Sequence, residues 1–425
     1  GQLLKEYHVA QATNSIGVVI HGITGRMGDV ARNALCVLNQ NGGIHVGDER
    51  WQAVPIGVGR DIKRLAEYAK GVNLEYYYDS VEAAMDKARQ INPDRQMYHN
   101  CVLTGEKVPV MLQILPTLDP ATTAVFMEKP LSNDYKSGFE LVHALEARRF
   151  FNGVVHDFIE TPGVHTAIQM VPRIRPLTCQ MIFGYEVGAG FSKNDDFRGQ
   201  RPDFNWTLKG AGGGIVLDMS HEAYISRALF GETDSLSCVA RLLVPKRMPA
   251  DRKNNTPIDC DVDDYCSIRR LHTSGVVNNS TWSWFRRINS EFGPLEIQID
   301  GELGSIVFGL YGLKVQWKEA APANLWKDSL AGKKTAWRDY WQYVDLAKRN
   351  PFAVELEKFI SSFITGSTYH YNAIHALNIM GEVEALYESA AQEGMPVPNT
   401  KFWRYPQVPP AGWQPERLQS RYGKK

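Results

Sequence analysis

Three stretches of this sequence carry groups whose type and spacing could do chemistry. The first is Gly22-Ile23-Thr24-Gly25-Arg26-Met27-Gly28, directly after an apolar run. A pyrophosphate needs backbone N–H donors at close range, and side chains would hold it away; glycines permit both the tight turn and the approach. A helix starting there offers the positive end of its dipole to the phosphates. The usual dinucleotide fingerprint is Gly-x-Gly-x-x-Gly, and here the first gap is one residue longer. Gly22, Thr24, Gly25, Arg26, Met27 and Gly28 are therefore expected to cradle a cofactor. A second strand-like run ends in Val58-Gly59-Arg60-Asp61. An acidic residue at its tip would bond the ribose hydroxyls of NAD, but Gly59 stands there and Arg60 follows. An arginine can pair with the 2′-phosphate of NADP or stack on adenine. Asp61 could swing back to the ribose, and a solvated loop cation is the bland alternative for Arg60.

The second stretch, Met127-Glu128-Lys129-Pro130, closes another expected strand, which places Glu128 and Lys129 at the sheet edge where ligands gather in open α/β folds. The third is Gly212-Gly213-Gly214-Ile215-Val216-Leu217-Asp218-Met219-Ser220-His221. Asp218 and His221, three apart, would share one helix face. Hydride leaves a carbinol carbon only as its hydroxyl proton is removed. A histidine suits that proton transfer, and a lysine can steer the alkoxide or carbonyl oxygen.

Other residues have two readings each. His156-Asp157 could face a substrate or form a satisfied structural pair. Trp206 could offer its face to a sugar ring, with Lys209 beside it, or simply pack. His165, His272, His370 and His375 read as structural. The aromatic and basic run Trp282 to Arg287 reads as a strand end rather than a nucleic-acid platform. No cluster has metal-ligand spacing, so no metal is expected, and no Gly-x-Ser-x-Gly elbow is present.

These groups need elements to position them. Ser15 to His21 and Ala53 to Val58 read as strands, as does Ala124 to Met127. Arg26 to Gln40, Ile62 to Lys70 and Glu82 to Ile91 read as helices, and the type of Val108 to Leu115 stays open. Strands alternating with helices predict a parallel sheet. Beyond about Arg149 the pattern changes. Val154–Ile159, Leu177–Glu186, Ser237–Val244, Tyr265–Leu271, Gly275–Trp284, Leu295–Ile299 and Ser305–Phe308 are expected strands with few helices between them, which predicts a largely antiparallel sheet. Helices are expected at Asp218–Leu229, Phe352–Ile364 and Ile374–Gln392, followed by a tail rich in Pro and Trp.

Composition narrows the class. The 425 residues allow two or three domains. Lys plus Arg and Asp plus Glu number 47 each, so nothing draws the chain to nucleic acid or anionic lipid. No apolar run approaches the ~20 residues that cross a bilayer, and Gly1 to Ala12 lacks a signal-peptide core. Six scattered cysteines suit reduced thiols in a cytoplasm.

Taken in order, the Gly22–Gly28 loop, Glu128-Lys129-Pro130, Gly212–His221, Asp263-Asp264-Tyr265 with Gly275–Trp284, Asp300-Gly301-Glu302-Leu303-Gly304-Ser305 and the closing helices resemble the glucose–fructose oxidoreductase, inositol dehydrogenase and MocA family. The resemblance covers nearly the whole chain. It implies an α/β fold with an N-terminal Rossmann domain (1–150), a C-terminal α+β domain with a large, mostly antiparallel open-faced sheet (151–395), and a tail (396–425). It implies that Lys129, Asp218 and His221 are catalytic and contact substrate; His156, Asp157, Trp206 and Lys209 stand beside them as candidate substrate contacts from residue type and position alone. It further implies NAD or NADP as cofactor, a sugar, glycoside or polyol whose hydroxyl-bearing carbon exchanges hydride with it, and a homodimer or homotetramer. Two alternatives stand beside this: a glycoside-cleaving enzyme that oxidises its substrate transiently, and a cofactor-binding sensor without turnover. There are departures. The family's histidine follows its aspartate by four residues, not three, and its Thr-Pro-x-x-x-His segment is replaced near Tyr98-His99-Asn100-Cys101. The glycine loop also resembles that of dihydrodipicolinate reductase, whose other motifs are absent.

Overall fold

The computed structural model describes residues 14–191, 193, 198–321, 327, 330, 332 and 337–417. These divide into two compact units. Unit one takes the chain to residue 157, apart from 133–136, and residues 350–377. Unit two takes 133–136, 158–349 and the chain from 378 onward.

Unit one is built on a sheet whose first strand, β1 (Asn14–His21), is a β-branched run buried along its length. A strand apolar on both faces needs neighbours on both sides and cover above and below. The further strands in chain order are β2 (Ile44–Val46), β3 (Glu49–Val58), β4 (Tyr76–Tyr78), β5 (Gln96–Asn100), β6 (Thr123–Met127) and β7 (Asn152–Val154). The order is β2-β3-β1-β5-β6-β7, with β4 also on β3, and every pairing except β2–β3 is parallel. The crossovers are helical. Helix α1 (Arg26–Gln40) buries Ala31, Ala34, Leu35 and Leu38, one face at the 3.6-residue period. Helices α2 (Ile62–Val72), α3 (Val81–Ile91) and α4 (Thr104–Ile114) follow. The undecided stretch Val108–Leu115 is thus mostly helix.

The expected division after residue 150 misses the return of the chain. Helix Pro351–Thr365 belongs to unit one. Asn350 caps its start, accepting from the Ala353 N–H at 3.1 Å, and Gly366 ends it with φ 68°. Its apolar face carries Phe359, Ile360 and Phe363 into the same core as Ile16, Val18, Ile20 and Leu35. Phe359 packs on Phe126 with ring centroids 4.5 Å apart. Burying three such side chains contributes several kcal/mol, on the order of 2 kcal/mol each.

Unit two holds a nine-stranded sheet among the described residues. From one edge its strands are Gln342–Tyr343, Leu313–Trp317, Gly304–Phe308, Leu295–Gly301, Pro176–Gly184, Val277–Ser283, Tyr265–His272, Thr233–Arg241 and Val397–Pro398. All pairs are antiparallel except Pro176–Gly184 with Val277–Ser283. Burial alternates along Tyr265–His272 and along Leu295–Gly301, so one face is covered and the other open. On the covered face Arg270 reaches Glu222 at 2.7 Å and Glu382 at 2.6 Å, both buried. The strand Val397–Pro398 adds part of the expected tail to this sheet, while residues 418–425 lie outside the described residues.

Two expected elements are corrected. Val154–Ile159 is not a strand: β7 ends at Val154, a single turn covers Asp157–Glu160, and helix Pro162–Ile174 follows. Thr161-Pro162 starts that helix, since proline's fixed φ and missing N–H suit a first helical position. Nor is Asp218–Leu229 one helix. Ile215–Asp218 is a single turn, Met219 leaves helical geometry at φ −97° and ψ 42°, and a new helix runs His221–Phe230.

Candidate functional site

Candidate groups fall in both units. In unit one the glycine loop joins β1 to α1. The Gly22 N–H donates to the Val58 carbonyl at 2.9 Å, and the Gly25 N–H to the Gly22 carbonyl at 2.9 Å. Gly22 has φ +86°, a left-handed conformation that favours glycine. Gly28 is needed for space: a Cβ there would lie 2.4 Å from the Gly22 carbonyl oxygen and 2.6 Å from Ile23 Cα. Gly25 caps α1 without any side-chain acceptor, so no side chain of the cap occupies the helix's first N–H groups. That donor set, with no Cβ in the way, fits a pyrophosphate. Thr24, Arg26 and Met27 complete the loop, Arg26 exposed and the other two partly buried.

Where β3 ends, Asp61 caps α2, its Oδ1 accepting from the Lys63 and Arg64 N–H groups at 3.1 Å each. The Arg60 side chain is 82% exposed and meets Glu106 at 3.2 Å. Arg64 extends back to the Thr24 carbonyl at 3.5 Å. Two guanidinium groups therefore flank the glycine loop. Beside it, His21 bonds the Tyr98 hydroxyl at 2.8 Å. Burial, helped by the charge of Arg60, lowers the His21 pKa to about 4, so this ring is neutral near pH 7.

Lys129 follows β6, partly buried, at the carboxyl edge of the sheet. The buried Glu128 carboxylate lies 3.6 Å from His99 Nε2. His99, Cys101 and Glu128 bring donor atoms within 4.8 Å of one another. Sequence spacing hides this group because it joins the ends of β5 and β6. It already has a cation in its field. Burial pushes the Cys101 thiol up, Glu128 adds to that, and the Lys107 ammonium opposes it. Lys107 is wholly buried and donates to the carbonyls of Glu128 and Pro130. Sequence reasoning missed it; its one signal is a lysine on the apolar face of α4, four residues before Met111.

The His156 ring is buried, bonds the Val154 carbonyl at 2.7 Å and stacks on Tyr371 at 4.8 Å, and the residue's backbone N–H donates to Glu355. These contacts support the structural one of its two readings, as a packing residue of unit one. Asp157 is buried next to it.

In unit two the Gly212–Gly214 segment is held by a buried carboxylate. Asp263 accepts from the Gly214 N–H at 3.1 Å, the Val216 N–H at 2.9 Å and the Tyr387 hydroxyl at 2.9 Å. Burial raises the Asp263 pKa, and these hydrogen bonds oppose the rise. A Cβ on Gly214 would lie 1.9 Å from the Asp263 carbonyl oxygen, so the backbone packs where only glycine fits. The single turn this fixes ends in Asp218, whose carboxylate pairs with Arg201. Arg201 also bonds Tyr185 and lies over the Trp284 ring at 5.3 Å. Burial alone would lower the Arg201 pKa, but Asp218 and Tyr185 outweigh it and raise it. His221 opens the next helix, buried, its ring stacked on Phe158 at 3.9 Å and edge-on to Tyr224 at 5.0 Å. The break at Met219 means that Asp218 and His221 do not share one continuous helix face. Arg201 and Phe158 were not legible, since only the fold brings them to this segment.

Trp206 is buried, edge-on to Trp284 at 5.2 Å, and the Arg247 guanidinium lies 4.8 Å over its ring. Packing is therefore the reading its buried ring supports. Lys209 is exposed on the short helix Leu208–Ala211.

Known proteins resemble this arrangement. Residues 185–307 match the GFO/IDH/MocA C-terminal domain. A D-xylose dehydrogenase of Paenarthrobacter nicotinovorans is 26% identical over 377 residues, covering 86% of this chain and 92% of that protein. A levoglucosan dehydrogenase solved with NADH and levoglucosan superposes with TM-score 0.70 at 18% identity, over 91% of this chain and 99% of that one. An oxidoreductase from Thermotoga maritima gives TM-score 0.67 at 19% identity, over 92% and 100% of the two chains. No helix among the described residues is long and apolar enough to cross a membrane. The match over residues 185–307 and these likenesses in sequence and fold make the chain similar to oxidoreductases of the GFO/IDH/MocA family.

Proposed function

We propose that this protein is an NAD(P)-dependent sugar or polyol dehydrogenase. The observation that carries the reading is the β1–α1 turn. Its helix starts without a side-chain cap, and its closing glycine has no room for a Cβ. A dinucleotide bound there supplies the two-electron acceptor or donor, and the protein supplies position and protons. Lys129 takes the proton of the reacting hydroxyl, Asp218 binds hydroxyl groups as a carboxylate paired with Arg201, and His221 fixes the substrate from its stacked position on Phe158. The sensor alternative rests on the shortened Asp218–His221 spacing. The break at Met219 gives that spacing a structural reason, and the carboxylate keeps a dedicated partner.

The same reading favours NADP. Asp61 is engaged as a cap, while Arg60 and Arg64 present two guanidinium groups suited to a 2′-phosphate. It also makes the protein a cytoplasmic homodimer or homotetramer; free thiols at all six cysteines support a reducing compartment.

The test is a screen of sugars, glycosides and inositols with NAD and with NADP, following nicotinamide absorbance, repeated with Lys129→Met. Turnover of a carbohydrate that vanishes in the variant, with dinucleotide binding intact, supports the reading. Turnover retained in Lys129→Met removes Lys129 from the chemistry.

A further inference from the structure

Lys107 sits in an expensive place. Lysine is almost never fully buried, yet this side chain has no exposed surface. It also lies in the first turns of α4, where the helix dipole disfavours a positive charge. Burying an ammonium costs several kcal/mol unless charge and hydrogen bonds compensate it. The compensation found here is specific. The ammonium donates to the carbonyl oxygens of Glu128 and of Pro130, the residues on either side of Lys129. Those carbonyls belong to the turn after β6, beyond its last ladder pairing, Met127 with Asn100. The neighbouring strand reaches only as far as the Glu128 N–H, which donates to the Asn100 carbonyl at 3.1 Å.

We infer that Lys107 is a positioning residue: from beneath the sheet edge it clamps the main chain on both sides of Lys129 and so sets the direction in which the Lys129 side chain points. This rests on the reading of Lys129 given above. An ammonium suits the task because one nitrogen offers three donors and can meet two carbonyls that converge from different directions. A misplacement of about 1 Å at a reacting group is enough to lower a rate about 100-fold.

The experiment compares the full-length protein with Lys107→Met, Lys107→Gln, Lys107→Arg and Lys129→Met. Each is assayed for kcat, for KM of the sugar, and for dinucleotide Kd from quenching of tryptophan fluorescence. Lys107→Met keeps the volume and loses the donors. It should lower kcat about 100-fold while KM and Kd stay within about threefold, a split that general loosening of the fold would not give. Lys107→Arg should recover at least about tenfold of the loss, and Lys107→Gln, with one amide donor group, should fall between. Wild-type kcat in Lys107→Met, beside an inactive Lys129→Met, overturns the inference and leaves the dehydrogenase reading standing. Loss of dinucleotide binding in proportion to kcat also overturns it. If Lys107→Met does not fold, Lys107→Gln decides, and wild-type kcat there is the contrary result. An active Lys129→Met removes the underlying reading instead.

Discussion

Asp218 ends its single helical turn with its carboxylate against the guanidinium of Arg201, and both side chains are nearly buried. A pair of this kind is held by mutual compensation. Removing one partner leaves a buried charge, at a cost of about 3–5 kcal/mol. Arg201→Met should therefore lower unfolding free energy by about 3 kcal/mol in urea titrations and lower turnover as well. Arg201→Met with Asp218→Asn should regain most of the stability and none of the turnover. An Arg201→Met protein as stable as wild type would show that the two charges do not depend on each other.

Cofactor choice gives a second expectation. Charge-assisted hydrogen bonds contribute about 1.5–3 kcal/mol each, and every ~1.4 kcal/mol is a factor of ten in affinity. Replacing Arg60 and Arg64 together by alanine should raise KM for NADP at least tenfold and leave KM for NAD nearly unchanged. Steady-state kinetics with both dinucleotides would reveal the opposite case, an equal loss for both, in which the arginines do not read the 2′-phosphate.

Gly28→Ala tests the cradle itself. The added methyl would meet the Gly22 carbonyl oxygen at 2.4 Å and Ile23 Cα at 2.6 Å, both backbone atoms that cannot swing aside. The start of α1 must move, and dinucleotide affinity should fall by about 100-fold or more, as for a phosphate donor set out of register. Calorimetric titration with NAD and NADP measures this directly. Affinity within twofold of wild type would mean that the phosphates bind elsewhere.

How much of this was legible beforehand follows from distance along the chain. The glycine loop was readable because its strand, turn and helix are contiguous and each leaves a local pattern. Lys129 was readable for the same reason, as a residue that follows an apolar run. Arg201 and Phe158 were not, because only tertiary structure brings them to Asp218 and His221. Trp206 kept two readings in sequence because type alone does not show that Arg247 and Trp284 pack against it. Helix Pro351–Thr365 read correctly as a helix, but its return to unit one depends on Phe359 finding Phe126, a pairing far apart in sequence. The break at Met219 escaped notice because no glycine or proline marks it; buried contacts of Asp263 and Arg201 set the geometry there.

The last expectation concerns acid. In the folded chain burial lowers the pKa of His156 to about 4. Burial likewise, followed by Arg270, lowers His272 to about 4. Unfolded, each returns to its ordinary value near 6.5. The unfolded chain then binds more protons than the native one at any pH between these values, so stability rises with pH in that window. Their contribution is fully present above about pH 6.5 and is lost progressively as the pH falls toward about 4. For His156, whose ring is stacked on Tyr371 and bonded to the Val154 carbonyl, the slope approaches about 1.4 kcal/mol per pH unit. His156→Gln removes the titrating group. Compared with wild type in urea titrations from about pH 7 to about pH 4.5, it should be less stable at the upper end and should lose stability more slowly as acid is added. Parallel curves for the two proteins would mean that this imidazole accepts its proton as readily in the folded chain as outside it, which its buried position forbids.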